Sequence, residues 1–483
     1  MPILAPALCL ASGYFLLALT WPPRKMSPAE ILIQIALSAG FGLGIFSIVF
    51  FFECLLGSSH LVMTDVLVLV LLIVLYVLRR RGLAGVSTTR PEIEDFRAPI
   101  WVRSILTVTF AIALVAAVYN VLLRVIAHPH GDGWDALSIW NLHARFLFRG
   151  GAHWHDGFNA LIPWSHPDYP LLLSATIAHF WSYLGNDAAI VPAIIGIVFA
   201  LSTVVLLVSA LAQLRGRTAA LLAGCALLST PFFVEQATSQ YSDVPLSFFI
   251  LASTVLLCLA DFRRCVGENR TAPLVLAGLT AGFAAWTKNE GLLFLLALVV
   301  SQLWALTVRQ SRKAGSAESL ERRRVLAAFL AGAAPVLAVI MYFKHFVAPA
   351  GDLFSGPEIM IHKLFTPTRY WVTIRWYAKE FLRFGDWWLV PGTVTMIAFY
   401  LLTRRKTTRS PDPFLQASFL GCALTLAGYF AIYLITPQDL YWHLRFSLNR
   451  LFLQLWPASL FLFFRFVGRA QDLVSTAESR SKN

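Results

Sequence analysis

The sequence predicts an all-α fold, a polytopic transmembrane helical bundle of about 13 spans. Of the 483 residues, 58% are hydrophobic and only 13% are charged. A soluble domain usually has about 25% charged residues, whereas lipid accommodates long apolar helices. The basic residues stand in short clusters between apolar runs, as expected for loops that face anionic lipid. The formal net charge of +13 therefore does not indicate a nucleic-acid partner.

Each apolar run that is long enough to cross the hydrocarbon core, which takes about 20 residues, marks one element. The N-terminus lacks the basic region that opens a signal peptide, so the first run is expected to remain as a membrane helix. The six cysteines form no C-x-x-C pair and are expected to be small packing residues. The predicted spans lie near 3–21, 29–53, 61–78, 101–126, 188–213, 218–234, 244–261, 272–287, 291–307, 325–344, 389–403, 414–435 and 448–468.

Lysine and arginine favour the cytoplasmic loops, and this preference orients the predicted spans. Basic clusters such as Arg79–Arg81, Arg263–Arg264 and Arg404–Lys406 occur in alternate loops. All eleven histidines, from His60 to His443, then fall on the opposite side. Histidine serves in proton transfer, so we expect the chemistry on the non-cytoplasmic face.

One apolar run, 170–184, does not fit this alternation. If it crossed the membrane, the basic loop at Arg215 would lie outside. The run is short and includes His179, Ser182 and Tyr183. We therefore expect a re-entrant or interfacial helix at the outer surface.

The longest outer loop, 127–169, carries the first candidate acids. Residues 135–149 are expected to form an interfacial amphipathic helix with His143 facing water. Asp135 either caps this helix or acts as a general base or metal ligand, with Asp132 beside it. A divalent metal cofactor is thus left open, although His153-Trp-His155 lacks convincing zinc spacing. The further candidates in this loop are Asp156, His166 and Asp168.

Two later outer segments add ionisable groups. Asp243 precedes a helix proline by two residues, so it is either an N-cap or a second acid facing the first loop. Lys288 and Glu290 stand in the segment Thr-Lys-Asn-Glu-Gly between two apolar runs. Ionised groups there must meet water, a substrate or each other, as in a self-paired helical hairpin.

The last outer loop brings cations to the start of the final span. His443, Arg445 and Arg450 lie where the phosphate of a lipid head would sit. Arginine binds phosphate through a planar fork, but it also anchors helices by snorkelling. In the preceding loop, 345–388, the many tyrosines and tryptophans are typical of an aromatic belt.

The order and sidedness of these motifs resemble the GT-C membrane glycosyltransferases. The resemblance rests on three features: the acid after an early span, the segment "YSDVPLSFF" with Asp243, and the segment "TKNEG". The resemblance is to the bacterial branch similar to protein O-mannosyltransferases and aminoarabinose transferases, over about residues 101–465. Asp132 and Asp135 replace the paired Asp-Glu of the O-mannosyltransferases, and no soluble C-terminal domain is expected. The predicted division is 1–100 for extra N-terminal helices, 101–468 for the GT-C-like core and 469–483 for a cytoplasmic tail.

This resemblance implies a multi-pass enzyme of the bacterial inner membrane that takes a sugar from a polyprenyl-phosphate donor. The acceptor would be a lipid, a glycan or a protein on the outer face. Asp135 would match the acid that activates the acceptor, and Asp243 the second-loop acid. Our own candidates for the carrier phosphate are Lys288, His443, Arg445 and Arg450.

A single displacement at the anomeric carbon would invert it, because the departing prenyl phosphate is already a good leaving group. The alternatives are a secondary transporter, an acyltransferase or polymer ligase, and an envelope scaffold. A transporter is disfavoured because no internal repeat is visible and the charges lie in loops at one face.

Overall fold

The computed structural model describes residues 3–21, 26–58, 60–80, 100–265, 268–310, 316–351, 356–387, 392, 396–397 and 413–467, without the side chains of 80, 305–319 and 357. These residues contain helices and no strand, so the all-α prediction is confirmed. The predicted span near 389–403 falls largely outside the described residues, and the predicted tail 469–483 falls outside them entirely.

Three helices precede the rest of the bundle: α1 (Leu4–Thr20), α2 (Pro28–Leu56) and α3 (Leu61–Arg80). Helix α2 starts with a capping box, in which Ser27 and Glu30 satisfy each other's backbone amides. Helix α1 packs closely on it, because a Cβ at Gly13 would lie 1.9 Å from the Ser38 carbonyl oxygen. A residue larger than glycine at this crossing would force the two helices apart.

The predicted span 218–234 is not one continuous helix, because the chain forms two helices there. Helix α4 (Ile100–Ala127) is followed, after the outer loop, by α7 (Ile190–Arg215) and α8 (Arg217–Leu228). The short helix α9 (Pro231–Gln236) then begins after a break at Thr230. Thr230 is extended (φ −84°, ψ 101°), since the ring of the following proline disfavours a helical conformation there.

The outer loop between α4 and α7 is folded onto the bundle. A π-helical segment over 136–140 leads into α5 (Asn141–Arg149), then 3₁₀ turns and α6 (Leu172–Leu184). The expected water-facing His143 is a misprediction: it is 1% exposed, with Nε2 3.3 Å from Ser165 Oγ. Burial and the neighbouring His166 lower the pKa of His143 to about 3, so its ring is neutral.

Helix α6 is not an interfacial helix, because almost all of its residues are buried against α2, α5 and α7. Its 13 residues extend about 20 Å, which is too short for a hydrocarbon core of about 30 Å. The apolar character of 170–184 therefore reflects packing inside the protein. The re-entrant alternative remains a prediction.

The second half of the chain surrounds one central helix, α10, which is buried along nearly its whole length. It packs against α7, α11, α16 and α17. The helices of this half are α10 (Asp243–Cys265), α11 (Thr271–Thr287), α12 (Asn289–Gln310), α13 (Ser316–Phe346), α14 (Pro357–Leu364), α15 (Pro367–Arg383), α16 (Pro413–Ile435) and α17 (Leu440–Phe466).

Seven helices of the described chain are long and apolar enough to cross a membrane: α2, α3, α4, α7, α10, α13 and α16. Helices α1, α8, α11 and α12 are apolar but shorter. Together they support a multi-pass membrane protein, while the number 13 stays a prediction.

Candidate active site

Asp243 stands at the start of α10 with a fully buried side chain. Its Oδ2 accepts a hydrogen bond from Arg450 Nε at 2.7 Å. Its Oδ1 accepts from Gln454 Nε2 at 2.6 Å and faces Lys288 Nζ at 3.2 Å. These partners come from α17 and from the turn between α11 and α12, as a buried carboxylate requires compensating charges and donors. Asp243 thus joins three separate parts of the chain.

Arg450 connects Asp243 to Asp135. Its Nη1 lies 2.5 Å from Asp135 Oδ2, and its guanidinium carbon lies 4.5 Å from the centre of the Tyr241 ring. The planar guanidinium, with its fork of donors, binds the two carboxylates through different nitrogens, Nε and Nη1. Asp135 makes no capping hydrogen bond, so its contact with Arg450 replaces the capping role.

The backbone before Asp135 explains how this acid reaches the site. Gly131 and Gly133 both have positive φ angles, 84° and 79°, which favour glycine. A Cβ at Gly131 would lie 2.7 Å from the Ser239 carbonyl oxygen, and Asp132 donates its amide to that same oxygen at 3.2 Å. The first outer loop is thereby fixed to the segment before α10.

The turn between α11 and α12 consists of Lys288 alone, in an extended conformation. Its Nζ lies 2.8 Å from Glu290 Oε1 as well as near Asp243. The hairpin is tight, because a Cβ at Gly291 would lie 1.8 Å from the Ala284 carbonyl oxygen. Lys288 and Glu290 pair with each other, as in the self-paired hairpin, and Lys288 also contacts Asp243.

We call Asp135, Asp243, Glu290, Lys288 and Arg450 the acidic cluster. It contains three carboxylates and two cations, so its formal charge is −1. Lys288 and Arg450 were candidates for the carrier phosphate, but both face the acids instead. This arrangement follows from burial, since an unpaired cation inside the bundle would lose its hydration without compensation.

Two tyrosines border the acidic cluster. Burial and the nearby Asp135 raise the pKa of Tyr241 to about 12, and its hydroxyl donates to the Asp132 carbonyl oxygen. Burial and the nearby Glu290 raise the pKa of Tyr169 well above its usual value. The centre of the Tyr169 ring lies 5.8 Å from Lys288 Nζ. Both phenols therefore stay neutral at physiological pH.

Three residues expected at the site have their contacts elsewhere. Asp132 forms an ion pair with Arg124 of α4, and its Oδ1 lies 3.5 Å from Nδ1 of His128. His166 adopts a positive φ of 49° and stacks on Tyr169 at 4.7 Å. His443 Nδ1 lies 2.8 Å from Thr436 Oγ1. Of the three, Asp132 and His166 each contact a tyrosine that borders the acidic cluster.

Arg445 lies in a cavity of about 770 Å³ between α15 and the start of α17. We call it the α15–α17 cavity. It has three cations, two acids and several exposed aromatic side chains. One lining residue, Asn449, directly precedes Arg450 in the sequence. The residues that line it are Phe232, Trp376, Lys379, Glu380, Arg383, Gly385, Asp386, Tyr441, Trp442, Leu444, Arg445, Phe446 and Asn449.

The most important residue that the sequence reasoning missed is Gln454. It is fully buried within α17, donates to Asp243 and accepts a hydrogen bond from the Tyr429 hydroxyl at 2.7 Å. A lone glutamine in an apolar run is itself a signal, because an unsatisfied amide is costly in lipid. Tyr169 and Tyr241 lie in outer loops where tyrosine is common, so nothing in the sequence distinguished them.

The described residues contain no group of three or more His, Cys, Asp or Glu side chains that could hold a metal ion. Within the acidic cluster, both oxygens of Asp243 already face cations. The donor set around Asp243 therefore does not fit a divalent ion.

Comparison with known families adds an independent observation. Residues 165–341 match the family model of the dolichyl-phosphate-mannose-protein mannosyltransferases. This segment contains Asp243, Lys288 and Glu290 and is similar to a family with the GT-C membrane fold. The match supports a membrane glycosyltransferase of the mannosyltransferase type. No curated protein and no solved structure matched the chain.

Proposed function

We propose that the protein transfers a sugar from a polyprenyl-phosphate carrier to an envelope acceptor, on the non-cytoplasmic face of a bacterial inner membrane. The observation that carries this proposal is the position of Asp135. Its side chain is 26% exposed, compared with 0% for Asp243 and 14% for Glu290. Asp135 is therefore the acid of the cluster that an acceptor can reach most easily.

Asp135 acts as the general base toward the acceptor hydroxyl. As the acceptor oxygen attacks the anomeric carbon, its proton passes to the Asp135 carboxylate, and the bond from that carbon to the phosphate oxygen breaks. Arg450 fixes the orientation of Asp135, and Asp243 in turn fixes Arg450. A single displacement of this kind inverts the anomeric carbon.

The carrier phosphate binds in the α15–α17 cavity rather than at Lys288 or Arg450. Lys288 and Arg450 are already paired with acids. The α15–α17 cavity, by contrast, has more cations than acids: three (Lys379, Arg383 and Arg445) against two. Charge-assisted hydrogen bonds from such groups suit a phosphate.

Helix α17 connects the phosphate position to the base. Arg445 and Asn449 are one turn apart and both line the cavity, and Arg450 is the next residue. The proposal requires a sugar attached to the phosphate to extend from this cavity toward Asp135. The aromatic side chains at the mouth of the cavity suit the membrane interface.

The test uses the purified full chain, labelled polyprenyl-phosphate sugars and extracted envelope acceptors. We expect Asp135→Asn to lower kcat by about 10²- to 10⁴-fold, the usual contribution of a general base. The matched control is Asp156→Asn, in the same loop and 60% exposed, which should transfer at the wild-type rate. Undiminished transfer by Asp135→Asn would overturn its assignment. Substrate uptake into liposomes without any transfer would instead favour the transporter.

A further inference from the structure

A second buried ionisable group lies away from the acidic cluster, between the N-terminal helices and α6. His179 Nε2 of α6 lies 2.9 Å from Asp65 Oδ2 of α3. The Tyr183 hydroxyl, one turn along α6, donates to the same oxygen at 2.5 Å. The side chains of Asp65 and His179 are fully buried. The proposed chemistry uses none of these three residues.

The two ring nitrogens of His179 face two different helices. Its Nδ1 lies 3.1 Å from the Phe46 carbonyl oxygen of α2, which can only accept a hydrogen bond. Its Nε2 faces the Asp65 carboxyl group of α3. His179 therefore connects α6 to both α2 and α3.

Helix α6 continues directly from the segment that reaches the acidic cluster. Just before α6, Tyr169 contacts Lys288 and stacks on Trp140 with ring centres 5.7 Å apart. Asp168 accepts a hydrogen bond from Asn289 Nδ2 at 2.8 Å and faces Lys344 Nζ at 3.5 Å. A shift of α6 would therefore move Asp168 and Tyr169 relative to the Lys288 turn.

The α2 and α3 contacts restrain α6 at more than one turn. Besides the contacts of His179 and Tyr183, Thr176 Oγ1 lies 3.2 Å from the Leu43 carbonyl oxygen of α2. Each of these polar groups points into a protein interior where it has few alternative partners, so the position of α6 is closely specified. Asp65 of α3 is the acidic side chain in this set of contacts, and both His179 and Tyr183 bind to it.

We propose that Asp65 is a positioning residue: through His179 and Tyr183 it holds α6, and thereby holds Tyr169 and Asp168 against the Lys288 turn. This inference rests on the proposed function, because it assigns the N-terminal helices a role in arranging the glycosyl-transfer site. It predicts that the position of α6 depends less on the charge of residue 65 than on the hydrogen bonds of that residue. The side-chain amide of asparagine can donate one hydrogen bond to His179 Nε2 and a second to the Tyr183 hydroxyl oxygen, whereas alanine can form neither.

The first measurement requires no substrate. Hydrogen exchange is followed in the purified full chain, at the four non-proline amides of residues 166–171. The Tyr169 amide donates to the His166 carbonyl oxygen at 2.9 Å, so exchange is slow when the segment is ordered. We expect Asp65→Ala to speed exchange here at least tenfold and Asp65→Asn to leave it within twofold. The matched control is Leu72→Ala, at a buried position two turns along α3, which should leave this segment unchanged.

The second measurement separates positioning from general loss of structure. We expect Asp65→Ala to lower the kcat of sugar transfer at least tenfold with less than a twofold change in donor KM, and Asp65→Asn to restore kcat. If Asp65→Ala fails to fold, Tyr183→Phe removes one hydrogen bond without removing charge and should speed exchange in the same segment.

Two results would overturn the inference: unchanged exchange at 166–171 in Asp65→Ala, or equal acceleration in Leu72→Ala. A chain that shows the Asp65-dependent protection but transfers no sugar would contradict the proposed function instead, and the structural link would stand.

Discussion

Replacing Arg450 by glutamine tests the charge balance of the acidic cluster most directly. The substitution removes the cation that Asp135 and Asp243 share, at 2.5 Å and 2.7 Å. Three carboxylates then face only the Lys288 ammonium, and the formal charge changes from −1 to −2. Asp243 cannot escape to water, because its side chain is fully buried.

The expected magnitude follows from these contacts. Removing one partner of a buried ion pair costs about 3–5 kcal/mol. Lys288 and Gln454 still contact Asp243, so the loss for Arg450→Gln should lie near the lower end, about 3 kcal/mol. The double variant Asp243→Asn/Arg450→Gln returns the formal charge to −1. It should therefore be more stable than the sum of the two single variants predicts, by about 1–3 kcal/mol.

The free energy of unfolding is measured in detergent micelles by titration with SDS, for the wild type, both single variants and the double variant. Arg445→Gln is the matched control, because Arg445 is an exposed arginine on the same helix and should change stability by less than about 0.5 kcal/mol. If the two single losses simply add in the double variant, the two side chains are not coupled and the charge argument is wrong.

Three further predictions concern the α15–α17 cavity, where we propose that the donor phosphate binds, and the α11–α12 hairpin. Arg445→Gln should raise the donor KM about tenfold with little change in kcat, because it removes a charge-assisted contact with the phosphate; an unchanged KM would move the phosphate site elsewhere. Burial and the nearby Asp386 raise the pKa of Glu380 to about 7, so this carboxyl is neutral below that pH and opposes the phosphate above it. The donor KM of the wild type should then rise between about pH 6 and about pH 8, and Glu380→Gln should abolish the rise. Gly291→Ala should destabilise the α11–α12 hairpin by about 1–3 kcal/mol, since its Cβ would meet the Ala284 carbonyl oxygen, and a melting temperature equal to the wild type would contradict this close packing.

The helical fold was largely predictable, because each backbone amide and carbonyl in lipid must be paired within its own segment. Predicted runs such as 29–53 and 101–126 agree with α2 and α4 within a few residues. The interfacial helix expected at 170–184 and the continuous helix expected at 218–234 differ from the structure, because hydrophobicity alone was ambiguous there. Segment 170–184 is apolar because it packs against protein, and 218–234 is apolar on both sides of a proline break.

The candidate site was predictable only in part. Asp135, Asp243 and Lys288 stood out because ionised groups at the ends of apolar runs need partners. The sequence could not pair them, since Arg450 could equally have faced lipid phosphate, and it did not distinguish Gln454. From the sequence, His166 and His443 were also candidates for the site, just as the residues of the acidic cluster were.

The sequence by itself determined that this chain is a helical membrane protein with ionisable groups collected at loop segments, because apolar runs and charge placement are local properties. Tertiary structure alone decided that Arg450 binds two acids, that Arg445 faces a separate cavity, and that Asp65 meets His179. The physical reason is that a buried charge takes whichever partners the packing of distant helices brings within hydrogen-bonding distance, and sequence spacing does not encode that distance.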